Sequence, residues 1–464
     1  MIERRSISGL FKGILIVLLA FFFLQSALAG GQKEGSKEEQ GVLLKPMEGV
    51  KGPFAGGGWV FPSKPIKISI WWHEYAPFTK YVKELAERYQ KLHPNVTIEQ
   101  VVASQADLNQ KLTVALASGT GPNILDQDIS FFAAYYDKGV LEPIDLQVFG
   151  GAKLSDIQNE YIGRVLEGVS FGGNIYGLPY QANSMSLVHN LKAYREAGLD
   201  FAKDAPKTWE DLKRVGAKLK KVEGGRTVRK GFDFPYQSKR WQLQALQPII
   251  EQFGGTVLDE NKKSNLAKEP AIKALELWRD VTKVTGDPKY SLATPSDPNV
   301  DFIDGRTAIW YTGPWATNQL KERFGQPYKD WAFTSICQVD PSRPKTMMYG
   351  FTWGVNKDKP ALEKKVAWDF IRFMLANPEE WIIKASFIQP RKGLMETKAA
   401  KEFPYIDVHL KDIETASWYV RSVHTNEIVE NVGRAIEMVI FQGVEPREAL
   451  KAADAELSKI LDGK

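Results

Sequence analysis

The first ordered pattern along the chain is an alternation of apolar and polar residues. Ile66, Ile68 and Ile70 alternate with polar residues, which predicts a half-buried strand. Residues 78–92 then carry apolar side chains three and four positions apart, the spacing of an amphipathic helix. A second strand, a second helix and a third strand are predicted around residues 96–98, 108–116 and 124–125. This order predicts an α/β fold with a mainly parallel sheet and right-handed crossovers.

Later segments continue the α/β pattern, and no repeat of 20 to 50 residues interrupts it. One helix is predicted to begin at residue 208, and others are predicted over residues 271–284, 362–375 and 447–461. A strand is predicted over residues 307–311. Ligands of such sheets bind beyond the carboxyl ends of the strands. Two segments occupy such ends: Trp72-His73-Glu74 follows the first strand, and Gln127-Asp128 follows the third.

Composition limits the classes of function. A chain of 464 residues is too long for a single core, so we expect two lobes. The formal net charge of +5 is too diffuse to indicate nucleic-acid binding. The 13 Trp, 16 Tyr and 24 Phe exceed what packing usually requires, and flat rings are suited to binding sugars.

The N-terminus resembles an export signal. Basic residues precede an apolar run over 13–24 that is too short to span a bilayer, and Ala27-Leu28-Ala29 provides a cleavage site. We therefore predict a cleavable signal peptide over 1–29 and a periplasmic or otherwise extracytoplasmic protein, with an uncleaved membrane anchor as the alternative. Gly30 and Gly31 stand where a lipoprotein would need a cysteine. Residues 30–64 contain few large apolar residues and are predicted to form a flexible tether.

Metal and cofactor sites are not expected. His73-Glu74 resembles the start of a zinc-protease helix, but no second histidine follows at the required spacing. The single cysteine, Cys337, excludes an intramolecular disulfide and a cysteine-based metal cluster, and we interpret it as a buried structural thiol.

Carboxylates at the predicted strand ends allow two interpretations. Asp126 and Asp128 lie two residues apart and could share a strand face, so a secreted glycosidase or lyase using them or Glu74 is one alternative. Carboxylates also accept hydrogen bonds from sugar hydroxyls, and the neighbouring polar residues favour this acceptor role.

Aromatic residues also cluster near predicted strand ends, beside Gly, Pro and amide or carboxylate side chains. The clusters are Trp71-Trp72, Tyr180, Tyr236 with Trp241, Tyr311 with Trp315, and Tyr349 with Phe351 and Trp353. A mixed lining of this kind offers one flat apolar face and a few oriented hydrogen-bonding groups, as a sugar pocket requires.

Several short stretches, in shared order and spacing, match one family. They are 117–125, 176–180, 187–209, 302–308, Gly313-Pro314-Trp315 and 367–371. From about residue 66 to 461 the chain resembles the family 1 extracellular solute-binding proteins of ABC importers, the group that includes the maltose-binding protein. The resemblance implies a periplasmic-binding-protein fold of type II, with two α/β lobes joined by hinge strands. By this analogy lobe one comprises residues 65–180 and 351–395, and lobe two comprises 181–350 and 396–464.

The resemblance also implies a carbohydrate-binding cleft and its contacts. The implied ligand-binding residues are Trp72, His73, Glu74, Gln127, Asp128, Tyr180, Gln181, Asn183, Gln237, Trp241, Tyr311, Gly313, Trp315, Tyr349, Phe351, Trp353 and Arg391. His73 departs from the common family pattern. The expected function is capture of a mono- or oligosaccharide by a monomer, without catalysis, and its delivery to the membrane permease of an ABC importer. A receptor for glycerol phosphate, peptide or polyamine is the other alternative.

Overall fold

The computed structural model describes residues 41–289, 298–325 and 329–463. The chain divides into a small unit, which includes Gly41–Leu43 and Val60–Lys64, and a large body, which includes Leu44–Trp59 and the chain from Pro65. In the small unit, strands β1 (Gly41–Leu43) and β2 (Val60–Pro62) pair antiparallel. The predicted signal peptide lies outside the described residues.

The large body contains strands and helices in an alternating order. Its strands are β3 (Ile66–His73), β4 (Val96–Ala103), β5 (Ile124–Asp128), β6 (Leu141–Glu142), β7 (Ser170–Phe171), β8 (Asn174–Ile175), β9 (Leu178–Ser184), β10 (Ser186–Asn190), β11 (Lys221–Glu223), β12 (Arg226–Asp233), β13 (Thr307–Thr312), β14 (Trp331–Ser335), β15 (Thr346–Asn356) and β16 (Ala416–Trp418). Its α-helices are α1 (Ala76–Leu92), α2 (Gln105–Ala117), α3 (Phe132–Asp137), α4 (Leu154–Glu160), α5 (Leu191–Glu196), α6 (Phe201–Asp204), α7 (Trp209–Leu219), α8 (Lys239–Gln252), α9 (Glu269–Thr285), α10 (Pro298–Ile303), α11 (Thr317–Phe324), α12 (Ala361–Met374), α13 (Pro378–Ala385), α14 (Lys398–Glu402), α15 (Ile406–Thr415), α16 (Thr425–Gln442) and α17 (Pro446–Leu461).

A first sheet has the strand order β16-β15-β5-β3-β4, with β6 and β9 also paired to β15. Strand β3 is parallel to both β4 and β5, as the β-α-β-α-β pattern predicts. The alternation along β3 buries Ile66, Ile68 and Ile70 and leaves Lys67 exposed. Strand β15 runs antiparallel to β5 and places Phe351 opposite Asp128.

A second sheet has the strand order β11-β12-β13-β10-β14. The predicted strand near 307 is β13, which is parallel to β12 and antiparallel to β10. Helix α7 begins after Thr208, whose side chain accepts a hydrogen bond from the backbone N–H of Asp211 while the Asp211 carboxylate binds the backbone N–H of Thr208. This capping box explains why the helix starts where the sequence predicts it.

The first sheet extends beyond the lobe boundaries proposed from the sequence. Strand β9 pairs with β15 as far as Ser184, opposite Met348, so the chain leaves this sheet after Ser184 and returns to it at Thr346. Strand β16 also pairs with β15. Residues 181–184, 346–350 and 416–418, which the sequence analysis assigned to lobe two, therefore belong to the first sheet.

Leu44–Trp59 lies within the segment predicted to be a flexible tether, and in the structure it packs into the large body. The Phe54 ring is fully buried, lies 5.5 Å from the Phe149 ring and is covered by the Arg391 guanidinium at 3.7 Å. The Arg372 guanidinium donates to the Phe54 carbonyl oxygen at 2.9 Å. The low overall hydrophobicity of the segment gave no sign of this packing, because its contacts come from two buried aromatic side chains, Phe54 and Trp59, and from two buried arginines outside it.

Cys337 is fully buried, as predicted for a structural thiol, and its burial raises the pKa of the thiol. Within the described part of the chain, no helix combines the length and the apolar character needed to cross a bilayer.

Candidate functional site

A cavity of 420 Å³ lies where strand ends of the first sheet face helix α8 and the turn after β13. Its described lining consists of His73, Glu74, Tyr75, Gln105, Asp128, Gln181, Gln237, Ser238, Arg240, Trp241, Gln244, Trp315, Gln319, Tyr349, Phe351 and Phe387. Strands of the first sheet contribute, and so do the helices and the turn beside the second sheet, so a molecule in this cavity would contact both lobes.

The first sheet supplies its residues from four strands, at the ends of two of them and within the other two. His73 ends β3, Asp128 ends β5, Gln181 lies on β9, and Phe351 lies on β15. These strands are neighbours in one sheet, so residues far apart in sequence meet at one edge. Gln181 lines the cavity, and its Oε1 atom is buried without a hydrogen-bond partner among the described residues.

The second lobe contributes one face of helix α8, the residues just before it, one turn, and Gln319 of α11. Arg240, Trp241 and Gln244 are spaced three and four residues apart on α8, so their side chains share one side of the helix, and Gln237 lies just before its start. Trp315 lies in the short turn that follows β13. A side chain at Gly313 would place its Cβ 2.0 Å from the Trp315 ring, so glycine is required for the ring to fold back over the turn.

Aromatic rings form a continuous wall of this cavity. The Trp315 ring lies 6.0 Å from Trp241 and 5.6 Å from Tyr349, edge to face in both pairs. Tyr349 and Phe351 continue the row on β15. Burial, and then the negative charge of Asp128, raise the pKa of Tyr349 well above its ordinary value, so its hydroxyl stays neutral. The wall thus offers flat apolar faces next to neutral and charged hydrogen-bonding groups.

Arg240 joins the two lobes across the cavity. Its guanidinium lies 3.2 Å from the Asp128 carboxylate, donates to the Ser130 hydroxyl at 2.9 Å and stacks over the Phe131 ring at 4.9 Å. The Asp128 side chain is 2% exposed and that of Arg240 is 13% exposed, so water screens the pair weakly.

A second contact between the lobes is made by Tyr75, whose hydroxyl donates to the Trp315 carbonyl oxygen at 3.0 Å. Burial raises the pKa of Tyr75 to about 12, with a smaller contribution from Glu322. The hydroxyl therefore remains a donor at neutral pH.

A buried network supports His73 from behind. The Asp126 carboxylate accepts from the His73 backbone N–H at 3.0 Å and from the Tyr180 hydroxyl at 2.8 Å, and it lies 2.5 Å from His73 Nδ1. The imidazole stacks 4.3 Å from the Phe351 ring and 5.1 Å from Phe78. Both rings and the carboxylate therefore fix the orientation of the histidine.

The structure brings nine of the sequence-predicted site residues together in the cavity lining and places the other eight outside it. The nine are His73, Glu74, Asp128, Gln181, Gln237, Trp241, Trp315, Tyr349 and Phe351; the eight are Trp72, Gln127, Tyr180, Asn183, Tyr311, Gly313, Trp353 and Arg391.

Most of the eight lie directly behind the lining. Trp72 and Trp353 are fully buried, and the Trp353 ring lies 5.0 Å from Tyr180. Asn183 is buried on β9 opposite Tyr349. Tyr311 donates to the Gln244 carbonyl oxygen at 3.2 Å and so holds α8 in place.

Gln127 and Arg391 have structural partners instead. The Gln127 amide donates to Asn109 at 2.9 Å and to the Tyr135 hydroxyl at 3.2 Å. Arg391 pairs with Glu160 at 2.5 Å, while its guanidinium stacks on Phe54.

Sequence reasoning missed seven lining residues: Tyr75, Gln105, Ser238, Arg240, Gln244, Gln319 and Phe387. Helical spacing from Gln237 and Trp241 could have identified Arg240 and Gln244. Gln319 and Phe387 carried no comparable signal, because only the tertiary fold brings them to this cavity.

A larger cavity of 590 Å³ lies elsewhere, around Phe171, Lys262 and Arg421. Its described lining includes none of the sequence-predicted site residues, and Phe171 is the one Phe, Tyr or Trp in it, so it lacks the aromatic wall.

The fold and the cavity define a two-lobed α/β binding protein. A family model described as bacterial extracellular solute-binding protein matches residues 75–381, and the chain belongs to this family.

Individual relatives match over most of the chain. The maltotriose-binding protein of Pyrococcus abyssi is 24% identical over 317 residues, 68% of this chain and 63% of its own length. The lactose-binding protein of Rhizobium radiobacter is 26% identical over 336 residues, which is 67% and 70% of the two chains. The solute-binding protein of Agrobacterium radiobacter, solved with ribitol, has a TM-score of 0.74 and 21% identity, with 86% of this chain and all of that chain covered. The structural match establishes the two-lobed fold.

Proposed function

We propose that this protein binds a carbohydrate in the 420 Å³ cavity between its lobes and delivers it to the membrane subunits of an ABC importer. The observation that carries the proposal is the aromatic wall of Trp241, Trp315 and Tyr349, which meets the carboxylate and amide groups of Asp128 and Gln181. Rings stack on the apolar faces of sugars, and the polar groups bind their hydroxyls. The sugars and sugar alcohol named for the relatives support this ligand class.

The charges of the cavity also favour a neutral ligand. Arg240 is the one lysine or arginine in its described lining, and it is paired with Asp128. A phosphate ligand would favour several unpaired cations, and a polyamine would favour several free carboxylates. Sugar hydroxyls require neither.

Binding without catalysis fits the position of the carboxylates. Asp126 is fully buried behind His73, and Asp128 is paired with Arg240. A glycosidase needs two carboxyl groups that reach the glycosidic bond from opposite sides. Glu74 also lines the cavity, but Asp126 is enclosed by protein groups and Asp128 is paired with Arg240, so this arrangement favours binding over hydrolysis.

The proposed mechanism is closure around the ligand. A sugar that contacts both lobes stabilises the closed form through contacts that only this form offers, and the importer would then recognise that form. At about 0.3 kcal/mol per heavy atom, a disaccharide of about 23 heavy atoms gains about 7 kcal/mol, which corresponds to low-micromolar affinity. Such affinity permits both capture and release by an exported monomer.

The test is isothermal titration calorimetry of the purified protein with maltotriose, lactose, mannobiose and ribitol, with glycerol 3-phosphate and spermidine as controls. We expect micromolar binding of at least one carbohydrate and none of the controls. Chromatography of the recovered sugar should show no cleavage products. Binding of the charged controls alone, or cleavage of the sugar, would contradict the proposal.

A further inference from the structure

His73 presents one ring nitrogen to the protein and the other to the cavity. Nδ1 lies 2.5 Å from the Asp126 carboxylate. Nε2 has no hydrogen-bond partner among the described residues, yet it is not enclosed by protein, and the side chain keeps 10% of its surface exposed. Since His73 lines the cavity, Nε2 is the atom available to a molecule inside it.

Asp126 determines which of these nitrogens carries the proton. The carboxylate is faced by three donor positions, namely the His73 backbone N–H, His73 Nδ1 and the Tyr180 hydroxyl. An ionised carboxylate can only accept, so Nδ1 must donate. In a neutral imidazole the other nitrogen is then an acceptor.

We propose that Asp126 holds His73 in the Nδ1–H tautomer, so that His73 Nε2 accepts a hydrogen bond from one hydroxyl of the bound sugar. This inference rests on the proposed function and makes it more specific. His73 becomes a ligand-selecting residue that requires a donor at its position, and Asp126 becomes its positioning residue.

The acceptor role gives ligand binding a pH dependence. A proton on Nε2 turns the acceptor into a donor, and its hydrogen then opposes the hydrogen of the sugar hydroxyl. The other charged or titratable groups around His73 are Asp128 on β5, Glu74 and Tyr75 next in the chain, Tyr180 on β9, Tyr349 on β15 and Arg240 on α8. The protonated ring should therefore bind the sugar more weakly than the neutral ring.

His73→Asn separates the two functions of the side chain. The asparagine amide can still donate to Asp126, but it has no acceptor at the position of Nε2. We expect His73→Asn to fold normally and to bind the sugar found in the calorimetric screen about fivefold more weakly at pH 8. His73→Phe, which keeps only the ring stacking, should lose at least as much.

The pH profile between 5 and 8 supplies a readout that a purely structural role would not change. Wild-type affinity should decrease when the His73 ring is protonated, and His73→Asn should lack this decrease. Identical profiles for the two proteins, unchanged affinity in His73→Asn, or stronger wild-type binding in acid would each overturn the proposal. Failure of the wild-type protein to bind any carbohydrate would instead contradict the proposed function.

Nitrogen-15 NMR of histidine-labelled protein tests the tautomer directly. The chain contains five histidines, and the signals lost in His73→Asn assign the ring. We expect a protonated Nδ1 and an unprotonated Nε2 at pH 8. Asp126→Asn replaces an acceptor with an amide that can also donate, so the Nε2–H form should appear and affinity should fall. An Nε2–H ring in the wild type, or an Asp126→Asn protein with wild-type spectrum and affinity, would overturn the role of Asp126.

Discussion

Arg240→Met removes the ion pair that joins the lobes while it keeps a long apolar side chain on α8. Arg240 contributes a contact to Asp128 at 3.2 Å and a hydrogen bond to Ser130 at 2.9 Å. We expect the variant to fold but to close less readily. Water can hydrate Asp128 when the lobes separate. Loss of the ion pair therefore destabilises the closed form more than the open form.

The magnitude follows from the burial of the pair. Surface ion pairs contribute about 0 to 1 kcal/mol, but loss of one partner from a buried pair costs about 3 to 5 kcal/mol. Hydrogen bonds to charged groups contribute about 1.5 to 3 kcal/mol. Hydration of Asp128 in the open form offsets part of this cost. We therefore expect the substitution to make the free energy of closure about 2 kcal/mol less favourable, which corresponds to about 30-fold weaker sugar binding.

Calorimetry measures the affinity, and small-angle X-ray scattering of the ligand-free protein measures the separation of the lobes. Arg240→Met should bind about 30-fold more weakly and show a larger radius of gyration. Lys239→Met is the matched control, because Lys239 pairs with Glu430 on the exposed side of the second lobe. Wild-type affinity and an unchanged radius in Arg240→Met would refute the reasoning.

Three further changes test other parts of the structure. Trp315→Ala should weaken sugar binding at least about tenfold with folding intact, Trp315→Phe should lose less, and unchanged calorimetry for both would remove this residue from the site. Arg372→Met leaves the buried Asp369 carboxylate without its cation, so urea unfolding should show a loss of about 3 kcal/mol, and an unchanged midpoint would contradict this. Burial raises the pKa of Asp412 to about 7, above its value of 3.8 when unfolded. The folded state therefore binds the proton more tightly between about pH 4 and 7, and stability should fall as pH rises through this window. In thermal unfolding, the stability of Asp412→Asn should decrease less with pH than that of the wild type. Equal slopes of stability against pH in the two proteins would contradict this prediction.

The sequence predicted elements well where periodicity was strong. The alternating isoleucines of β3 and the apolar stripe of α1 correspond to one buried face each, so local patterns were sufficient. The same alternation could have excluded Trp72, which continues the inward face of Ile66, Ile68 and Ile70. The packed segment Leu44–Trp59 was missed because its partners lie far along the chain.

The candidate site was harder to predict for a related reason. Neighbouring residues on a strand face opposite sides, so Gln181 reaches the cavity while Tyr180 supports Asp126 from behind. A sequence motif identifies a short segment, but it does not show which side chains of that segment face the cavity. Phe387 enters the lining from a segment without a motif, because tertiary packing alone brings it there.

The buried position of Cys337 has a practical consequence for following lobe closure in solution. The sequence has one cysteine, and its thiol is enclosed by protein and kept protonated. Maleimide reagents need an accessible thiolate, so the native residue can stay in place during labelling. If two cysteines were introduced on opposite rims of the cavity, the donor and acceptor dyes would attach only to them. Fluorescence energy transfer between the dyes would then report each opening and closing event.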